Sequence, residues 1–172
     1  AARFANWLSN GQPTGPQGPT TTENGAYDLS FWILGIAPAV NVTNPNTGAA
    51  PLYRLPTENE WYKAAYYKRG GINAGYWNYA TQSDTVPGNV IGGAANQANY
   101  ALGGVLFAVP QSASFAQDQN LLSDVGAFSA SSSAYGTFDQ TGNVFEWNDL
   151  DGTASLTRGL RGGNWARDRK ST

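Results

Sequence analysis

No cysteine, histidine or methionine occurs anywhere in the 172 residues of this chain. Without a thiol there is no sulfur nucleophile, and without imidazole there is no side chain whose ordinary pKa lies near neutrality. The Cys/His sets that hold zinc, copper or iron are missing for the same reason. Catalysis by these residues would rest on carboxylates, hydroxyls, lysine and arginine. Charge is also scarce: ten basic and twelve acidic residues make up 13% of the chain. So weak a field does not draw nucleic acid or anionic lipid, and neither partner is expected. No apolar run reaches the ~18 residues of a membrane-spanning helix. The longest, 31–40, carries Gly35 and Pro38, so no membrane insertion is expected. The six tryptophans, nine tyrosines and 21 glycines that remain suit hydrogen bonding, aromatic contact and hard cations, and favour a binding or structural role over an enzyme.

The length suits one domain over residues 1–172, able to bury roughly 70% of the unfolded surface. A start at Ala1 rather than methionine suggests a processed product or a fragment. Absent cysteine, with an Asn/Ser/Thr/Gly-rich, weakly charged composition, tilts the expectation toward export.

Residues 1–9 read as a helix, because Phe4, Trp7 and Leu8 recur at helical spacing and Asn10-Gly11 supplies a stop; their apolar stripe is expected to face the core. The Pro/Gly/Thr-rich stretch 12–24 reads as a surface loop, 27–36 as a strand and 41–51 as another loop. Within 52–70, Pro56 and Thr57 precede Glu60 as in a capping box, and Trp61, Ala64, Ala65 and Lys68 share a face before Gly70-Gly71. Glu58 and Glu60 occupy the first turn, where the helix dipole favours negative charge, which is a simpler role than a catalytic pair. Residues 71–112 read as irregular chain over the core, needing a tie from Tyr76, Trp77, Tyr79 and Tyr100 or from a bound cation. Short strands are expected within 135–147 and 156–165, joined at Thr141-Gly142-Asn143 and Gly162-Gly163-Asn164. The paired glycines there suit positive φ or close backbone approach. Together these elements predict an α+β domain.

Three segments carry a resemblance in combination: Arg54-Leu55-Pro56-Thr57-Glu58-Asn59-Glu60-Trp61 with Ala64-Ala65; Thr141-Gly142-Asn143-Val144-Phe145-Glu146-Trp147; and Leu160-Arg161-Gly162-Gly163-Asn164-Trp165. Over 52–165 the chain resembles the sulfatase-modifying-factor, or formylglycine-generating-enzyme, family. That resemblance implies a variant C-type lectin fold with two helices, short antiparallel strands and long ordered loops. The first helix, the loop after it and the stretch 76–85 further resemble exported bacterial members that carry a C-terminal sorting signal, which implies a secreted or cell-surface location. The family's oxidations use paired cysteines with copper, or histidines with iron; this chain holds neither residue type, so the resemblance carries architecture and not that chemistry. It also implies calcium, held by Asp139, the carbonyls of Gly142 and Val144, and the carboxylate of Glu146. A second calcium site would use Asn99, the carbonyl of Tyr100, Asp118 and Asn120. The alternative for Glu146 is a buried ion pair with an arginine such as Arg161.

Trp32, Trp61, Trp147 and Trp165 are expected in the core, whereas Tyr66, Tyr67, Tyr76, Trp77 and Tyr79 either pack on loops or stack on a sugar or a second subunit. Asn41-Val42-Thr43 matches a glycan acceptor pattern, with no modification expected in a bacterial chain. Family members open and close with strands that this sequence does not show. The sequence is therefore either incomplete or leaves a sheet edge for another copy to fill, giving a filament. The expected function is a non-catalytic structural or adhesion domain stabilised by calcium. The rivals are a glycan or protein receptor using loops 12–25 and 71–93, and a carboxylate-based hydrolase.

Overall fold

The computed structural model describes residues 1–30 and 36–166. Its elements are α1 (Ala2–Ser9), a π-helical turn (Pro19–Glu23), α2 (Glu58–Tyr66), β1 (Tyr67–Lys68), a 3-10 turn (Gly71–Asn73), β2 (Gly75–Tyr76), β3 (Glu146–Asn148) and β4 (Gly159–Arg161). The described strands form two two-stranded sheets, and β1 runs antiparallel to β2 with Tyr67 opposite Tyr76. The architecture is a small α+β one in which loops carry most of the chain. Two compact units divide it: Ala1–Asn59 with Trp147–Gly159, and Glu60–Glu146 with Leu160–Thr172.

In the first unit, α1 ends as its sequence predicts. Gly11 takes φ +80°, and the amides of Gly11 and Gln12 return to the carbonyls of Leu8 and Trp7 at 3.1 and 2.9 Å. This double closure needs a residue free to adopt positive φ. The apolar stripe, however, faces inward only in part, with Trp7 and Leu8 half-buried. Phe4 is 61% exposed, and the buried residues of α1 are Ala5 and Asn6. Ala5 packs with Ala26 and Tyr27, against which Leu29, Val40 and Leu55 close.

Asn6 decides the orientation of that helix. Its Nδ2 donates to the carbonyls of Thr22 and Tyr27 at 2.8 and 2.9 Å, and its Oδ1 accepts from the Tyr27 amide at 2.7 Å. One amide side chain thereby stands in for a strand partner along an irregular segment, since buried backbone groups must be paired. Asn6→Ala should cost about 3 kcal/mol, because it leaves several buried backbone groups unpaired at once. Asn6→Asp should cost nearly as much, since a carboxylate cannot donate to the two carbonyls. Urea unfolding of both variants checks this; a loss near zero in either would show that the loops hold themselves.

The loop expected over 12–24 contains the π-helical turn, where Glu23 and Thr22 amides both reach the Gly18 carbonyl. The strand expected over 27–36 reduces, in its described part, to a bridge between Tyr27 and Val40; its remainder, with Trp32, lies outside the described residues. The cause is visible in Tyr27, whose backbone amide and carbonyl are taken by Asn6 and not by a neighbouring strand.

The second helix, α2, begins at Glu58 directly after Thr57, where the sequence places its start, and in the second unit buries Trp61, Ala65 and Tyr66 with Ala80. It ends at Tyr66, earlier than Gly70-Gly71. Tyr67 and Lys68 leave the helix to form β1, which removes Lys68 from the predicted helical face. The irregular region 71–112 is tied less by its aromatics than by amide side chains. Asn89 donates to the Leu106 carbonyl at 2.7 Å, Gln97 accepts from the Val90 amide at 2.9 Å, and Asn96 accepts from Thr81 at 2.6 Å. Tyr79 and Tyr100 are buried as expected, whereas Tyr76 is 52% exposed and packs on Tyr62.

Candidate functional site

The most tightly constructed place in the second unit is the turn 139–146. Asp139 and Asn143 adopt φ +60° and +63°, and Gly142, Gly162 and Gly163 lie between +76° and +85°. The Gly142 amide donates to the Gly162 carbonyl at 2.5 Å, and the Asn143 amide to the Asn99 carbonyl at 2.7 Å. A Cβ on Gly142 would overlap the Asn99 carbonyl oxygen and sit 2.8 Å from its carbon. Glycine at this position is thus required twice, by conformation and by space.

Asn143 binds this turn to its surroundings. Its Oδ1 accepts from Asn99 Nδ2 at 2.9 Å and from the Ser123 amide at 3.1 Å, and its carbonyl accepts from the Trp165 amide at 2.9 Å. Asn99 in turn donates to the Leu121 carbonyl at 2.9 Å. Its own Oδ1 is buried and has no hydrogen-bond partner.

At the end of the turn, Glu146 accepts from the indole N–H of Trp61 at 2.5 Å. The proposed alternative, an arginine partner, is replaced here by an indole that supplies one hydrogen bond and no charge. Burial therefore dominates and lifts the Glu146 carboxyl to about 7, with a smaller upward push from the Asp139 charge, against the lowering effect of the indole. Asp139 itself accepts from the Gly126 amide at 2.7 Å.

The eight residues proposed as calcium ligands divide unevenly. Asp139 and Glu146 are electrostatic neighbours, Val144 is exposed, and a Cβ at Gly162 would face the carbonyl oxygens of Gln140 and Val144 at 3.5 and 3.7 Å. Asn99, assigned to the second set, bridges directly to Gly142 of the first. The other three lie differently: the Tyr100 carbonyl accepts from Asn89 at 3.3 Å, Asn120 Oδ1 accepts from the Leu122 amide at 3.0 Å, and Asp118 is exposed like Asn120. Among the described residues no three His, Cys, Asp or Glu side chains converge as a metal set. The donors that do gather at the turn are carboxylate, amide and carbonyl oxygens, which fit a hard cation and no soft one. Asn99 was legible in the sequence as a candidate. Asn143 and Trp61 were missed as partners of the turn, and the Asn143 position inside Thr141-Gly142-Asn143 was the available signal.

A match to the family model described as sulfatase-modifying factor enzyme 1-like domain extends over residues 1–172. The chain belongs to that family. No curated relative and no solved structure matches it. The family match covers 1–51 as well as the 52–165 region on which the sequence motifs rest, so α1 and its loops are part of the same domain family. The aromatic expectations need correction. Trp61 is core at 3% exposure, but Trp147 is 52% exposed. Trp165 is half-buried and stacks at 8° on Phe115. Tyr66 and Tyr79 are buried, and Tyr67 packs on Tyr135, while Trp77 lies under the Lys68 ammonium at 3.8 Å. Asn41 of the acceptor pattern donates to Gly25 and Asn24 at 3.0 and 3.2 Å.

Proposed function

We propose that this chain is a non-catalytic member of its family, a secreted or cell-surface structural or adhesion domain of the C-type lectin-like type whose 139–146 turn takes calcium. One observation carries the reading. The turn that joins Asn99, Gly142, Asn143 and Glu146 is fully built, yet the 172 residues contain neither the thiol nor the imidazole needed for metal-assisted oxidation. A cation there would neutralise two neighbouring carboxylates, at a position where burial alone is costly. Asp139, Glu146 and the carbonyls of Gly142 and Val144 are the proposed holders. The low charge and amide-rich loops suit an extracellular polymer formed through an open sheet edge, and electron microscopy of purified protein tests that assembly directly. Turnover of a sulfatase-type peptide or of a thiol with oxygen would overturn the non-catalytic reading.

The proton on Glu146 provides the test of calcium. With chelator present, a folded-state pKa near 7 against an ordinary value of 4.5 means that the folded protein keeps a proton the unfolded chain has released. The resulting stability is complete below about 4.5 and disappears as pH rises through 7, for a total of about 3 kcal/mol. Glu146→Gln keeps the acceptor for Trp61 without the charge. In chelator it should be more stable than wild type at pH 8, with no gain at pH 5. Calcium should raise the wild-type Tm at pH 8, raise it far less at pH 5 where the ligand is protonated, and leave Glu146→Gln unmoved. A wild-type Tm indifferent to calcium at pH 8 would remove the cation from the proposal.

A further inference from the structure

Four tyrosines of the second unit adjoin one another on its surface. Tyr67 and Tyr76 stand opposite each other in the antiparallel pair of β1 and β2, so their side chains leave the ribbon on the same face. Tyr76 meets Tyr62 of α2 at 4.8 Å between ring centroids, and Tyr67 meets Tyr135 at 5.6 Å. Tyr62 also packs at 4.9 Å on Tyr66, a core residue, which ties the row to the interior of the unit. The rings remain accessible: Tyr76 and Tyr135 are 52% and 54% exposed, and Tyr62 and Tyr67 are half-buried. Among the described residues the hydroxyls of these four tyrosines have no hydrogen-bond partner.

The two cations that follow Tyr67 are committed elsewhere. Lys68 Nζ lies 3.1 Å from Asp84 Oδ2 and 3.8 Å from the centre of the Trp77 ring, and Arg69 Nη2 donates to the Ala134 carbonyl at 2.9 Å. The row itself offers aromatic carbon and neutral hydroxyl, so its complement is an uncharged ligand with apolar faces and hydroxyl groups. A second copy of the chain fits poorly. With about half of a tyrosine's ~200 Å² exposed, four rings present at most roughly 400 Å², against ~800 Å² per partner in a stable interface. A proline helix fits no better, because rings already in contact leave no slot between them for a pyrrolidine. Pyranose rings meet both requirements: their C–H faces lie on aromatic faces, and their hydroxyls reach the phenol groups. Tyrosine, with two side-chain torsions, is held for such contact at little entropic cost. We propose that Tyr62, Tyr67, Tyr76 and Tyr135 form a binding surface for a neutral oligosaccharide, with sugar rings stacked on the aromatic rings and sugar hydroxyls bonded to the phenols. The proposal rests on the adhesion reading for its use and supplies its ligand class, but needs neither calcium nor assembly. Binding is therefore measured in chelator, where failure of the calcium turn leaves the result unchanged.

Calorimetric titration of the whole chain with cellohexaose, chitohexaose, glucose and hexagalacturonate, followed also by tyrosine ring chemical shifts, tests it. At least one of the two neutral hexaoses should bind roughly tenfold more tightly than glucose, because linked sugars cover several rings at once. The same hexaose should exceed the charged hexagalacturonate by a similar factor. Tyr76→Ala and Tyr135→Ala should each weaken it about fivefold or more without moving the urea midpoint, since both side chains are over half exposed. Tyr76→Phe keeps the ring and should lose only about twofold. In wild type the ring signals of the four tyrosines should shift on binding, while those of the buried Tyr27 and Tyr100 stay; this decides the matter if a variant does not fold. Four results would each overturn the assignment: no binding of either neutral hexaose, alanine variants that bind as wild type, tighter binding of hexagalacturonate or of a decaproline peptide, or a dimer in sedimentation that Tyr76→Ala dissolves.

Discussion

Gly142→Ala should unfold the protein under conditions where wild type is fully folded, with a loss of about 4 kcal/mol or more, out of the 5–15 kcal/mol that stabilise a typical domain. Two costs combine. The backbone sits at φ +81°, which an L-residue adopts at a cost of about 1–2 kcal/mol. The added methyl would also occupy the place of the Asn99 carbonyl. Neither side can yield cheaply, since that carbonyl already accepts from the Asn143 amide and Gly142 itself donates to Gly162. Gly136→Ala separates the two costs, because Gly136 has φ +80° and nothing within 4 Å of a new Cβ. It should lose only the conformational part. Urea denaturation of both variants gives the difference, and equal losses would mean that the close approach of Asn99 to Gly142 does not exist.

Asp149→Ala should be the second severe substitution. Asp149 is fully buried, and burial pushes its carboxyl above the ordinary range despite the Tyr27 hydroxyl and the nearby Arg158 and Arg54 charges. It is the acceptor for the Tyr27 hydroxyl and the ionic partner of Arg158. Its removal leaves a buried hydroxyl without its acceptor and a nearly buried guanidinium without counter-charge, for which about 3–5 kcal/mol is expected. Tyr27→Phe keeps the ion pair and should cost about 1–2 kcal/mol. Because both residues belong to one network, the double variant should lose clearly less than the two single losses added together. Full additivity would show that the hydroxyl and the carboxylate act separately.

The same two places show how much could be read without coordinates. Gly162 and Gly163 were marked as positions of positive φ or close approach, and both take positive φ; Gly142 was marked as a turn residue, and it is there that the close backbone approach occurs. The helix boundaries at Gly11 and Thr57 were legible because capping chemistry is local. The α1 orientation was not, because apolar periodicity pointed to Phe4, Trp7 and Leu8 while the buried position is a polar Asn6 that pairs with chain 16 and 21 residues away. Trp147 failed for a related reason: its type suggests burial, but its neighbours place it at 52% exposure. The short strands expected within 135–147 and 156–165 appear as Glu146–Asn148 and Gly159–Arg161, while outside them serine hydroxyls take the Tyr135, Thr137 and Thr157 amides and single loop-to-loop bonds take those of Gly142, Asn143 and Trp165.

The sequence by itself determined the chemistry open to these 172 residues, the stop of α1, the start of α2, and the family, since those depend on residue type and on neighbours a few positions apart. Only the tertiary structure decided which partner Glu146 meets, that Asn99 lies against Gly142, and that Tyr27, Asp149 and Arg158 share one buried network. Apart from the Asp149–Arg158 ion pair, whose residues are nine positions apart, those outcomes depend on residues 43 to 131 positions apart, and a pairing over such distances is selected by which buried donors and acceptors remain to be satisfied once the loops have packed.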